Sequence, residues 1–144
     1  MDREIFRHFF DDQIRWGDCD LLGHVNNTLY LRYIESARIA YSEELLDVNL
    51  NPSTKTGWVL ADLHCSFRDQ LTYPCRISVG SRISRVGNSS ATMEAAVFAV
   101  EKDRAAFTST AILVWYDFIS QQTARIPDQV RQAVKTFEGT VEGL

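Results

Sequence analysis

One stretch of this chain constrains the fold more than any other. From about Thr28 to Leu46, Tyr30, Tyr33, Ile34, Ala37, Tyr41 and Leu45 recur at spacings of three and four, which makes a continuous apolar stripe on a helix. Leu29, Leu31, Ile39 and Ala40 place further apolar groups off that stripe. A helix apolar over most of its circumference has to be buried by more than one neighbour. Asn26 or Asn27 is a natural N-cap, because an Asn side chain accepts from the orphan amides of the first turn. Asn49-Leu50-Asn51-Pro52 cannot continue the helix and ends it.

The chain available to cover that helix is mostly of period two. Phe6 to about Trp16 reads as a first strand. After the helix, Val59, Ala61, Leu63, Cys65 and Phe67 alternate with Leu60, Asp62, His64, Ser66 and Arg68, giving one apolar and one polar face. Further strands are predicted at about Cys75–Val86, Ser90–Val100 and Ala106–Asp117, joined by Gly87-Asn88 and by the charged tip Glu101-Lys102-Asp103-Arg104. Short loops of this kind make antiparallel hairpins. Pro127 suits a first helical position, and Val130, Ala133, Val134 and Phe137 line a terminal helix at about 127–138. The expected fold is α+β: residues 1–144 as one domain, core about 5–118, with a curved antiparallel five-stranded sheet wrapped around a long central helix. That is the hotdog architecture. Its open edge strands call for pairing with a second subunit, as a homodimer or a dimer of dimers.

A net charge of -4 in 144 residues argues against a nucleic-acid or anionic-membrane partner. Cys19, Cys65 and Cys75 form no CxxC pair, and with His8, His24 and His64 they lack zinc-site spacing, so no metal or cofactor is expected. The segment MDREIFRHFFDD is charged throughout, unlike a secretory signal, and no apolar run reaches the roughly 20 residues of a membrane span. A cytoplasmic protein is expected.

Chemistry concentrates in Arg15-Trp16-Gly17-Asp18-Cys19-Asp20-Leu21-Leu22-Gly23-His24-Val25-Asn26-Asn27. This segment sets carboxylates on a loop just before a helix N-terminus, where unpaired N–H groups and the positive end of the helix dipole face outward. A carbonyl placed there is polarised and its developing oxyanion stabilised. A nearby carboxylate either attacks that carbonyl or activates a water to do so. A thioester suits the arrangement, since its thiolate leaves readily.

The same residues resemble the signature of the 4-hydroxybenzoyl-CoA thioesterase family, D-x-D-x-x-G followed by a short link into the central hotdog helix. The form here, D-C-D-L-L-G-H-V-N-N-T-x-Y-L-R-Y-I-E-x-A-R, is similar to the long-chain acyl-CoA thioesterase branch of that family. The likeness extends through Phe67-Arg68 and the turn at Arg85–Ser90, over about residues 5 to 118. It implies hydrolysis of a fatty acyl- or aryl-CoA, with Asp20 as the catalytic carboxylate. It also implies that the backbone amide of Asn27 meets the thioester carbonyl, the two working across a subunit boundary. An acyl-carrier-protein thioesterase and a non-catalytic acyl-binding protein are the alternatives. Hydratase-type segments such as H-F-P-G do not occur.

Two roles are open to His24: orienting Asp20 or the attacking water, and bonding the loop backbone. Asp18 is expected to pair with Arg15 or close the turn, not to act on substrate. Glu35 is a minor candidate acid on the helix, placed to pair with Arg38. Asp62 and His64 are expected at a surface or interface. For CoA phosphates the candidates are Arg82, Arg85 and Lys102, with Ser89 and Ser90 as donors. Trp16, Tyr30, Tyr33 and Trp58 are candidates to line an acyl tunnel.

Overall fold

The computed structural model describes Met1–Leu144. Five long strands, β1 (His8–Ile14), β2 (Thr56–Phe67), β3 (Cys75–Val86), β4 (Ser90–Ala99) and β5 (Ala105–Asp117), form one antiparallel sheet in the order β1-β3-β4-β5-β2. A two-residue strand, β6 (Gln122–Thr123), adds to β5 beyond the five anticipated. Helix α1 (Asn27–Leu46) lies in the curve of the sheet, and α2 (Asp128–Glu138) closes one end. This is the hotdog arrangement. No helix is long and apolar enough to cross a membrane.

The stripe on α1 sinks into the sheet as its spacing requires: Tyr30, Tyr33, Ile34, Ala37 and Tyr41 are buried. They meet Ile77, Val79 and Val97 in one cluster and Ile83, Leu113 and Trp115 in another. Each large apolar side chain fully buried there contributes about 1.5–3 kcal/mol. The opposite, convex face is closed over β3 and β4 by Phe6, which packs on Phe98 and lies across Gly80. A Cβ at Gly80 would come within 2.6 Å of the Phe6 ring, so the ring's approach requires glycine.

Two expectations are corrected. First, α1 is not enclosed all round within the protomer. It packs chiefly on β1, β3, β4 and α2 and covers β2 only in part, so Leu31 is 39% and Ile39 41% exposed. Second, the simple alternation of β2 is broken by a bulge between Leu60 and Asp62. Trp58 and Leu60 pair with the inward residues Trp115 and Leu113, so before the bulge the even positions face the helix, not Val59. After it Leu63, Cys65 and Phe67 face inward as the alternation predicts. Element ends also shift slightly: β1 stops at Ile14 before a 3-10 turn at Trp16–Asp18, and Pro127 caps α2 from outside.

Candidate active site

The loop between β1 and α1 is tied down from both ends. Asp18 is buried, and its Oδ2 accepts from the Arg15 backbone N–H at 3.0 Å and from the Tyr33 hydroxyl at 2.6 Å. Its own carbonyl accepts from the Asn26 N–H at 2.9 Å. Burial, then the Asp18 hydrogen bond and charge, push the Tyr33 phenol far above its ordinary range, so it stays a donor. Asp18 is therefore an anchor, and the Arg15 guanidinium pairs instead with Asp12. From the other side, the Val25 N–H donates to the Leu71 carbonyl at 2.8 Å.

Between these anchors Asp20 to Gly23 is a tight turn. The Gly23 N–H donates to the Asp20 carbonyl at 3.0 Å, and Gly23 has φ 82, a left-handed conformation that favours glycine. The Asp20 N–H donates to the His24 carbonyl, and Asp20 Oδ1 accepts from the Leu22 N–H at 2.8 Å. Its other carboxylate oxygen makes no bond within the protomer, and the side chain is exposed. His24 is half-buried, and its imidazole bonds neither Asp20 nor the loop backbone.

Asn26, not Asn27, is the N-cap: its Oδ1 takes the Thr28 N–H and its carbonyl the Leu29 N–H. Asn27 is the first residue of α1, and its N–H is left without an acceptor at the positive end of a 20-residue helix. One loop thus presents an exposed carboxylate and a free helix-terminal amide. Around them Trp16 is 77%, Leu21 106% and Leu22 81% exposed, an apolar rim that single-chain folding leaves uncovered.

The remaining predicted residues fall elsewhere. Cys75 pairs with Ile14, where the loop departs, whereas Arg85 stands ten residues along β3, roughly 33 Å at about 3.3 Å per residue. Arg82 is held by Glu94 at 2.8 Å and Arg85 by Glu142 at 3.3 Å. Ser89 gives its carbonyl to Trp115, and Ser90 borders a 220 Å3 cavity with Arg85. Within one protomer this set is not brought together with Asp20. Glu35 and Arg38 do meet, at 3.5 Å, while Asp62 and His64 are exposed. Tyr30 and Tyr33 are core residues, whereas Trp16 is exposed and Trp58 borders an open cavity.

Sequence reading missed the largest cleft, about 930 Å3, which runs beside the loop past Trp16, Leu71, Tyr73, Arg76 and Lys102. Its walls come from the β1 end, the segment after β2 and the β4–β5 turn, so no local pattern announces it. Lys102 pairs with Asp69, but Arg76 pairs with no acid.

The matches to known proteins agree with this geometry. The model of the thioesterase-like superfamily matches residues 14–134. Among curated proteins, YsmA of Bacillus subtilis is 31% identical over 88 residues, 61% of this chain and 58% of its own length. The chain thus spans under two thirds of that relative. The chloroplastic acyl-acyl carrier protein thioesterase ATL2 of Arabidopsis thaliana is 26% identical over 133 residues, covering 91% of this chain and 70% of ATL2. A thioesterase from Thermus thermophilus solved with coenzyme A and Zn is 28% identical, with a TM-score of 0.81 over 95% of this chain and 98% of its own. The chain belongs to the thioesterase-like superfamily.

Proposed function

We propose that this protein hydrolyses acyl-CoA, fatty or aromatic, to the free acid and CoA, with Asp20 as the reacting carboxylate. One observation carries the reading: the free N–H of Asn27 at the head of α1 shares a loop with an exposed carboxylate that has one oxygen unengaged. A thioester carbonyl accepting from Asn27 is polarised, and the oxyanion formed on attack gains the helix-terminal field. Asp20 then acts in one of two ways. It adds to the carbonyl carbon, expelling CoA thiolate and leaving an anhydride that water opens, or it takes the proton of a water that adds instead. His24 stands in the same loop to orient that water.

Nucleotide docking has two candidate seats. The Arg82–Arg85 and Ser89–Ser90 group lies at the far end of the sheet and reaches this loop only from a partner subunit. The 930 Å3 cleft lies in the same chain as Asp20 and offers an unpaired Arg76 together with exposed Trp16 and Tyr73, which favours it for phosphates and a stacked base. The coenzyme A held by the Thermus relative supports the CoA reading. The exposed apolar rim and the open edge of β2 support a homodimer in which the partner covers the loop.

ATL2 supports a second carrier, acyl carrier protein. Thiol release from a panel of acyl-CoAs of graded length and aromaticity, beside the matching acyl-carrier-protein thioesters, separates the two. The acyl-CoA reading expects at least tenfold higher kcat/KM on one or more acyl-CoAs. Faster turnover of carrier-protein thioesters refutes it, and acyl binding without any release identifies a non-catalytic acyl binder.

A further inference from the structure

Between α1 and β2 the concave face of the sheet is open. The inward residues of β2 that should be core are only partly covered: Leu60 is 43% and Phe67 50% exposed. Helix and strand run antiparallel there, since Tyr30 near the start of α1 packs on Phe67 at the end of β2. Towards the other end of α1 this face borders a cavity of about 420 Å3, lined by Arg38, Ile39, Leu46, Leu50, Trp58 and Phe118.

A guanidinium does not belong on such a wall unless something meets it. The Arg38 side chain is only 15% exposed, and no group in the chain hydrogen-bonds it. The one carboxylate beside it, Glu35, touches at 3.5 Å through a single contact and is itself 65% exposed. Burial lowers the Arg38 pKa, and Glu35 opposes that only in part. A neutral donor on the same wall is unmet: the indole Nε1 of Trp58 is buried without an acceptor. Buried donors left unsatisfied are rare, and a largely buried guanidinium held by one long contact to an exposed carboxylate is only weakly compensated. A largely apolar cavity carrying one unmet donor, and a guanidinium whose single carboxylate contact is long and exposed, fits a ligand that is apolar along its length and has an oxygen acceptor at its end.

Arg38 lies eleven residues along α1 from Asn27, about 16 Å at 1.5 Å per residue. That span fits an acyl chain whose thioester sits at Asn27 and whose far end reaches the guanidinium. We propose that Arg38 is a specificity-determining residue that selects acyl groups ending in a carboxylate, such as the half-thioesters of long-chain dicarboxylic acids. This deepens the thioesterase reading and rests on it for the thioester end, while the tail site stands on its own geometry.

The test pairs substrates of equal length. For the wild type, kcat/KM on dodecanedioyl-CoA should exceed that on dodecanoyl-CoA by at least tenfold, and Arg38→Met should bring the ratio to about one. Arg38→Lys, which keeps the charge, should restore part of the preference. A wild-type ratio near or below one, or a preference that survives Arg38→Met, overturns the proposal. Calorimetric binding of free dodecanedioate against dodecanoate to the wild type needs neither catalysis nor a variant. Tighter diacid binding supports the site even if no thioester is hydrolysed, in which case only the catalytic reading falls. Equal binding, with Arg38→Met dissociating an oligomer, assigns the guanidinium to a partner's carboxylate and overturns the proposal.

Discussion

Replacing Tyr33 with Phe removes one oxygen, yet it should be felt both in stability and in catalysis. The Tyr33 hydroxyl donates to the buried Asp18 carboxylate at 2.6 Å. Asp18 Oδ2 would keep only the Arg15 N–H, and a hydrogen bond to a charged group is worth about 1.5–3 kcal/mol. The ring itself stays packed against Tyr30, so little apolar burial is lost. At roughly 4 °C per kcal/mol for a domain of this size, the melting temperature should fall by about 6–12 °C. Because Asp18 also fixes Asn26, the residue before the free amide, the turn bearing Asp20 should lose its set relative to Asn27. We expect kcat to drop about tenfold or more, with KM changed far less, since misplacement of reacting groups is felt in the transition state. Differential scanning fluorimetry and steady-state thiol release read the two effects. A melting shift below about 2 °C would show that the Tyr33–Asp18 bond does not anchor the loop. A full shift with unchanged kcat would break the link from anchor to catalysis.

Three further perturbations follow from the packing. Burial holds the His8 imidazole below its ordinary value of 6.5, with Glu44 and Glu138 opposing only in part. The folded chain therefore binds fewer protons than the unfolded one, so stability is full above about pH 6.5 and declines as pH falls below it. His8→Gln should flatten that decline in urea titrations run from pH 7 to 5. Glu138→Ala removes the acceptor shared by the Tyr41 hydroxyl at 2.7 Å and the Ile83 N–H at 3.0 Å. Two buried donors go unmet, and the urea midpoint should report a loss of at least about 2 kcal/mol. Gly80→Ala drives a methyl into the Phe6 ring and should cost about 1–3 kcal/mol. The same change made in a Phe6→Ala background should cost much less, a non-additivity that a double-mutant cycle measures.

How much of this was legible in the sequence depends on how local each cause is. The stripe from Tyr30 to Tyr41 announced α1, because a period of three to four has one physical meaning. Long strands with short turns gave β3, β4 and β5 nearly to the residue. The bulge in β2 was not readable, since one extra residue at Ala61 leaves composition untouched while reversing which positions face the helix before it. At the site, Asp18 and Asp20 are the same residue type two positions apart. Only the fold shows that one is buried against Tyr33 while the other stands free. The arginine candidates for phosphate show the same limit. Arg85 shares the chain with Asp20, but strand register carries it to the far end of the sheet, while Arg76 is brought beside the loop.

In the proposed reaction the Asp20 carboxylate performs the hydrolysis of a thioester polarised by the Asn27 amide. Asp20→Asn tests it most directly, because Asp20 is exposed and makes only a short-range bond to Leu22, so the fold should tolerate the change. Single-turnover thiol release from the best acyl-CoA, with the melting temperature measured alongside, is the decisive experiment. Release should slow by about a thousandfold or more, roughly 4 kcal/mol of barrier, at an unchanged melting temperature. Release within a few-fold of wild type, from an equally stable protein, would contradict it.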